Sequence, residues 1–171
     1  MANFAIKDAM DLKIMVLGES SPKLTIDYLN ECSFSKTSDS VFAKKKGVNA
    51  VGFAGATSGT LTLNSELTSI EALGLALGGR VTGEKIEITD VVPTDFFKIE
   101  GTFNTVGEDG VAKARKIIFH KCKPQASCDI AFSAENVASF ALNFDLLIDE
   151  EHKFMTIEEA SLMPTTTLEE K

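Results

Sequence analysis

The chain has no tryptophan, one tyrosine, two histidines and three cysteines in 171 residues. Cys32, Cys122 and Cys128 are odd in number and have no paired spacing, which excludes a disulfide framework and fits reduced thiols packed as small hydrophobes. Long apolar runs are also missing. Nothing approaches the roughly 18 residues needed to cross a bilayer, since even Ile70–Leu77 is interrupted by Glu71 and Gly74. The first 18 residues are broken by Lys7, Asp8, Asp11 and Lys13 and have no small-residue cleavage site, so no secretion signal is expected. There is no phosphate loop either. Gly18–Lys23 lacks the second glycine and the Lys-Ser/Thr pair, and Gly74–Gly79 closes a helix where a dinucleotide fingerprint would open one.

Side chains that carry chemistry are correspondingly sparse. His120 and Cys122 stand two apart, on one face of a predicted strand, with Cys128 beyond Pro124. A structural zinc site needs four ligands, usually with a Cys-x-x-Cys pair, and that set is absent. A nucleophilic triad would have to use His120 or His152, and His152 lies in an acidic turn where a solvated role is the ordinary one. Asp145 with Asp149, and Glu150 with Glu151, are spaced for a strand and a turn, which implies no shared pocket. The expectation is no catalytic, cofactor-binding or metal-binding residue, and therefore no enzyme.

What is present is a globular composition, 44% apolar and 25% charged, long enough for one domain at 1–158 with a loose tail at 159–171. The net charge is −8, and residues 124–171 hold ten acidic against two basic residues. Such a chain repels a phosphate backbone. The one basic cluster, Lys44-Lys45-Lys46, reads as a solvated loop or a guard on a strand edge.

Alternating apolar and polar residues predict strands at Leu12–Leu17, Leu24–Leu29 continuing through Cys32–Ser35, Thr60–Leu63, Lys85–Thr89, Phe96–Phe103, Ala114–Cys122, Ser127–Phe132, Ala138–Ile148 and Phe154–Ile157. Asp109-Gly110 marks a hairpin turn. One helix is predicted over 65–78, from Leu67, Ile70, Leu73, Gly74 and Leu77, with Ser65 or Thr68 as its cap and Gly78-Gly79 as its stop. Between the strands, residues 36–58 mix Ser, Lys, Gly and Asn with isolated Val41, Phe42, Val48, Val51 and Phe53. That is too sparse for a core and too apolar for a solvated loop, so the segment reads as a long hairpin or loop projecting from the body. About ten strands exceed what one open sheet carries uncurled, so the predicted class is mostly β, a β-sandwich or barrel with one flanking helix. Twelve phenylalanines, many strand edges and an unpartnered arm point to assembly with other chains.

The order of these elements resembles the major tail tube proteins of tailed bacteriophages: the hairpin at Leu12–Ser35, the arm at Lys36–Ser58, the strand into the helix at Ser65–Leu77, the Asp-Gly hairpin near Gly110, and the closing strand Ala138–Asp145 with its acidic turn. Related tubes occur in phage-tail-like bacteriocins and contractile injection systems. The resemblance implies a structural virion protein in rings of six, stacked into a hollow tail tube that delivers DNA without sequence-specific binding. It further implies tape-measure and tail-tip or terminator partners, assembly in the host cytoplasm and no membrane. The inter-subunit contact would be the arm, with Val41, Phe42, Lys44, Lys45, Lys46, Val48, Val51 and Phe53. Two rivals use the same alternation: a monomeric β-barrel that binds a small ligand, and a trimeric virus-surface attachment or decoration protein.

Overall fold

The computed structural model describes residues 4–26, 29–65, 69–89, 94–108, 110–125 and 140–160, and for residues 4–10, 53, 54 and 140 the backbone alone. In chain order the elements are β1 (Phe4–Val16), β2 (Leu24–Ile26), β3 (Glu31–Lys45), β4 (Val48–Ser65), α1 (Ile70–Ala76), β5 (Arg80–Thr82), β6 (Lys85–Glu87), β7 (Phe97–Gly107), β8 (Ala112–Pro124), β9 (Phe140–Leu147) and β10 (Met155–Glu159). All pairings are antiparallel. Eight strands form one sheet in the order β2-β1-β7-β8-β9-β4-β3, with β10 also on β8, and β5-β6 form a separate small sheet.

The mostly β expectation holds, but the sheet does not close into a barrel among the described residues. It curls instead. Phe34 on β3 reaches Phe119 on β8, with ring centroids 6.2 Å apart, although three strand spacings separate them in the sheet. A flat sheet would hold those strands about 14 Å apart. The concave face encloses one core with Leu12 and Ile14 from β1, Leu61 and Leu63 from β4, Phe97 and Ile99 from β7, Phe119 from β8 and Phe144 from β9. Strict alternation produces this: on β7, Phe97, Ile99, Gly101, Phe103 and Thr105 are buried, while Lys98, Glu100, Thr102 and Asn104 face outward.

Two sequence boundaries shift. The helix is shorter than 65–78, because Ser65 is the buried last residue of β4 and Thr68 lies outside the described residues. Ser69 is the cap, its Oγ accepting from Ala72 N at 3.1 Å. Gly78, at φ 64°, lets Gly79 N donate back to Gly74 O at 2.8 Å. The helix buries its small residues Ala72, Gly74 and Ala76, while Leu73 and Leu77 are only half-buried. Likewise Thr60–Leu63 is no separate strand but the end of an 18-residue one. The predicted strand at Ser127–Phe132 lies outside the described residues, and β10 runs to Glu159, two residues past the predicted strand end at Ile157.

β8 forks the sheet. Its far edge pairs with β10 over Arg115–Phe119 and with β9 over Lys121–Pro124. From this fork, near Gly59 and Leu146, β3 and β4 continue as a two-stranded ribbon.

Candidate functional site

The ribbon is the arm expected from the sequence, and it is a hairpin. β4 pairs with β9 only over Gly59–Ser65, so, among the described residues, 48–58 pair with β3 alone. The tip is a two-residue turn with Lys46 at φ 52° and Gly47 at φ 81°, the mirror-image geometry that matches the twist of paired strands. Two register shifts interrupt the ladder, between Ser38 and Ser40 and between Ala43 and Lys44. At the first, Gly55 is required by space: a Cβ there would fall 2.6 Å from the Asp39 carbonyl oxygen.

Register then sorts the side chains. Val41, Ala43 and Val51 share one face by alternation. Phe42 lies on the other and spreads its ring over the bare backbone of Gly52. Val41 is 62% exposed, Phe42 49%, Val48 68% and Val51 52%. Phe53 stands opposite Val41 in register, and its side chain lies outside the described residues. Lys44, Lys45 and Lys46 are all exposed, and no ion pair among the described residues engages them. Over residues 36–58 four lysines stand against Asp39 alone, a net +3, so the rest of the chain carries −11 of the total −8. The arm is thus a basic, apolar ribbon on an acidic body, with too little of its own surface buried to hold it by packing.

The other side chains singled out in the sequence do not converge. His120 and Cys122 are not on one face. The register on β7 slips between Phe97, opposite Cys122, and Ile99, opposite Phe119, and this irregularity turns His120 outward while Cys122 is fully buried. Burial pushes the Cys122 thiol up to about 12. Burial, followed by the Glu31 charge, pushes Cys32 up to about 11. Neither is a ready thiolate. Cys128 lies outside the described residues, and among those described no group of three His, Cys, Asp or Glu is placed to hold a metal ion. Asp145 accepts from Gln125 Nε2 at 2.6 Å, and Glu151 pairs with Lys153.

His120 connects three elements. Its Nε2 is 2.7 Å from Thr156 Oγ1 on β10, and its Nδ1 is 3.7 Å from Asp149 Oδ2. Asp149 Oδ1 accepts the backbone N–H of Glu151 at 2.9 Å and of Lys153 at 2.8 Å. Those bonds, the Lys153 amide first, hold the Asp149 carboxyl below its ordinary range. The carboxylate therefore organises the turn, and His120 ties that turn to β8 and β10. Beside it lies a groove of about 620 Å³ lined by Leu17, His120, Lys121, Ile148 and the turn Asp149–Glu151. Leu17 is 43% and Ile148 45% exposed. Sequence reasoning missed this groove. Its parts come from residues 17–18, 120–121 and 148–151, and no local spacing marks their meeting.

No family model and no curated protein matches the chain. Solved structures do. A chain of the anti-feeding prophage baseplate, solved with six-fold symmetry, aligns over 93% of this chain and 98% of its own, with TM-score 0.58 and 12% identity. A chain of the anti-feeding prophage cap aligns over 87% and 88% at 13% identity, TM-score 0.47. One from the sheath-tube complex of an extracellular contractile injection system in its extended state gives 87%, 88% and 13%, TM-score 0.45. At such identities the first likeness establishes a shared fold over nearly the full length of both chains.

Proposed function

We propose that this protein is a structural, non-enzymatic subunit of a phage-tail-like particle, assembling as six-membered rings around a central channel and stacking into a hollow tube. The observation that carries the reading is the end-to-end fold likeness to a chain of a six-fold symmetrised baseplate. The arm supplies a means of assembly, since its exposed valines and Phe42 are unfavourable in water unless another surface covers them. In this reading the particle is put together in the cytoplasm, with tape-measure and terminator proteins as further partners, and the acidic surface lets a polyanion pass without gripping it.

Neither rival gains support. Among the described residues the sheet does not close around an interior that could hold a small ligand. A second reading is favoured by the baseplate origin of the first neighbour: a ring that initiates a tube without stacking on copies of itself. Electron microscopy of the purified chain tests both. Tubes with a central hole are expected for a tube subunit and single six-membered rings for an initiator. A uniform monomer at every concentration overturns the proposal.

A further inference from the structure

The charge and the apolar surface are divided between two places in the same molecule. The arm carries +3 with exposed Val41, Phe42, Val48 and Val51, and the remainder carries −11. Two arms side by side repel through Lys44, Lys45 and Lys46, and two bodies repel through their acidic excess. Only an arm against a body brings opposite charges together while covering apolar side chains on both. Contacts of arm with arm and of body with body are thereby disfavoured, and a contact of arm with body is selected.

The body offers a matching receptor in the groove beneath the β9–β10 turn. Leu17 and Ile148 supply its exposed apolar side chains, and Asp149, Glu150 and Glu151 outnumber the one lysine in its lining, Lys121, although Glu151 already pairs with Lys153. The groove beside α1 is less acidic, because Lys23 and Arg80 there offset two of the three carboxylates Glu71, Glu87 and Asp95, whereas Lys121 offsets only one of Asp149, Glu150 and Glu151. The arm cannot serve its own groove. The ribbon leaves the sheet at Gly59, beside Leu146 and Phe154, and its eleven residues from Val48 to Ser58 carry the tip about 36 Å away at about 3.3 Å per residue. The occupant must come from another chain.

We infer that the lysine-tipped end of the arm of one copy docks in the Leu17/Ile148 groove of a second copy, with Val48 and Phe42 against those two apolar side chains and Lys44–Lys46 against the Asp149–Glu151 carboxylates. This rests on the assembly reading above and names its contact. Because donor and acceptor are different surfaces of one chain, an open chain of copies keeps a free arm at one end and a free groove at the other, so the contact repeats until the rotation between copies closes it into a ring.

Two variants separate donor from acceptor. In the first, Lys44→Glu, Lys45→Glu and Lys46→Glu reverse the tip; in the second, Ile148→Lys and Glu150→Lys reverse the groove. All five positions are exposed, and circular dichroism confirms folding before association is measured by sedimentation velocity. Each variant alone is expected to self-associate at least about tenfold more weakly than the wild type. A mixture of the tip variant, whose groove is intact, with the groove variant, whose arm is intact, should form a discrete complex that does not grow. The groove assignment is overturned if the groove variant assembles as the wild type does, or if the mixture stays as two monomers. If instead the wild type itself never associates, the assembly reading fails and takes this contact with it.

Discussion

At the scale of single residues, Glu100 shows how the outer face of the sheet is held. On β7 it meets Lys98 at 2.7 Å on its own strand and Lys116 at 2.7 Å on β8. Partial burial pushes its carboxyl up, but hydrogen bonds from Lys116 and Lys98 outweigh that and hold it below the ordinary range. A carboxylate depressed in the folded state contributes stability above its unfolded value, near 4.3 for Glu, and loses it as pH falls through the lower folded value. Glu100→Gln should therefore destabilise the protein at neutral pH. The gap between variant and wild type should narrow below about pH 4.3 in denaturant titrations, and a gap constant with pH would remove the ion pairs from the account. Gly74 is a second sensitive point, because a Cβ there would fall 2.2 Å from Val81 Cγ2. Gly74→Ala improves intrinsic helix propensity by about 1 kcal/mol, yet overpacking of this kind costs about 1–3 kcal/mol. The expected result is a lower Tm that Val81→Ala largely restores. Additive effects of the two substitutions would show that helix and hairpin do not touch there.

Among the elements, those that bury one face were legible. β7 and β9 could be read from alternation because burial imposes a period of two, and the Asp-Gly signal placed the β7–β8 turn. Failures fall where pairing rather than burial makes the strand. Residues 36–58 show no alternation because both faces of the ribbon meet solvent, so the sequence predicts only the short strand Thr60–Leu63 of β4, with a long hairpin or loop before it. The helix start was misplaced for a related reason: Ser65 is a good cap by type, but it is buried as the last residue of β4, and Ser69 does the capping. Removing that cap is a direct check. Ser69→Ala should cost about 1 kcal/mol in thermal unfolding, and the same change at Ser65 should cost no cap, since its backbone belongs to the sheet. The irregularity opposite β7 that separates His120 from Cys122 is a property of register, set by a partner strand, and a single strand's sequence does not show it.

For the whole molecule, the decisive question is whether the arm is part of the fold or part of the assembly. Its base answers in geometric terms: Lys36 and Gly59 face each other in register, and beyond that pair β4 has no partner among the described residues except β3. Among the described residues, none of the buried core lies between Lys36 and Ser58. Replacing Thr37–Ser58 with Asn-Gly would therefore join two facing residues by the shortest favourable hairpin turn, and shortening a loop whose ends already meet carries little entropic penalty. The truncated body should keep its Tm to within the shift of a typical surface change, about 0.5 kcal/mol, and should lose the capacity to form rings or tubes under electron microscopy. A truncated chain that cannot fold would place the ribbon in the core, against the exposure of Val41, Val48 and Val51. One that still assembles normally would leave those side chains without a purpose in assembly. Salt provides an independent reading on the full chain, since docking of a +3 arm on a −11 body weakens as the screening length falls from about 10 Å at 0.1 M to about 3 Å at 1 M. Association that strengthens with salt would mean that apolar contact alone drives it and that the division of charge between arm and body plays no part.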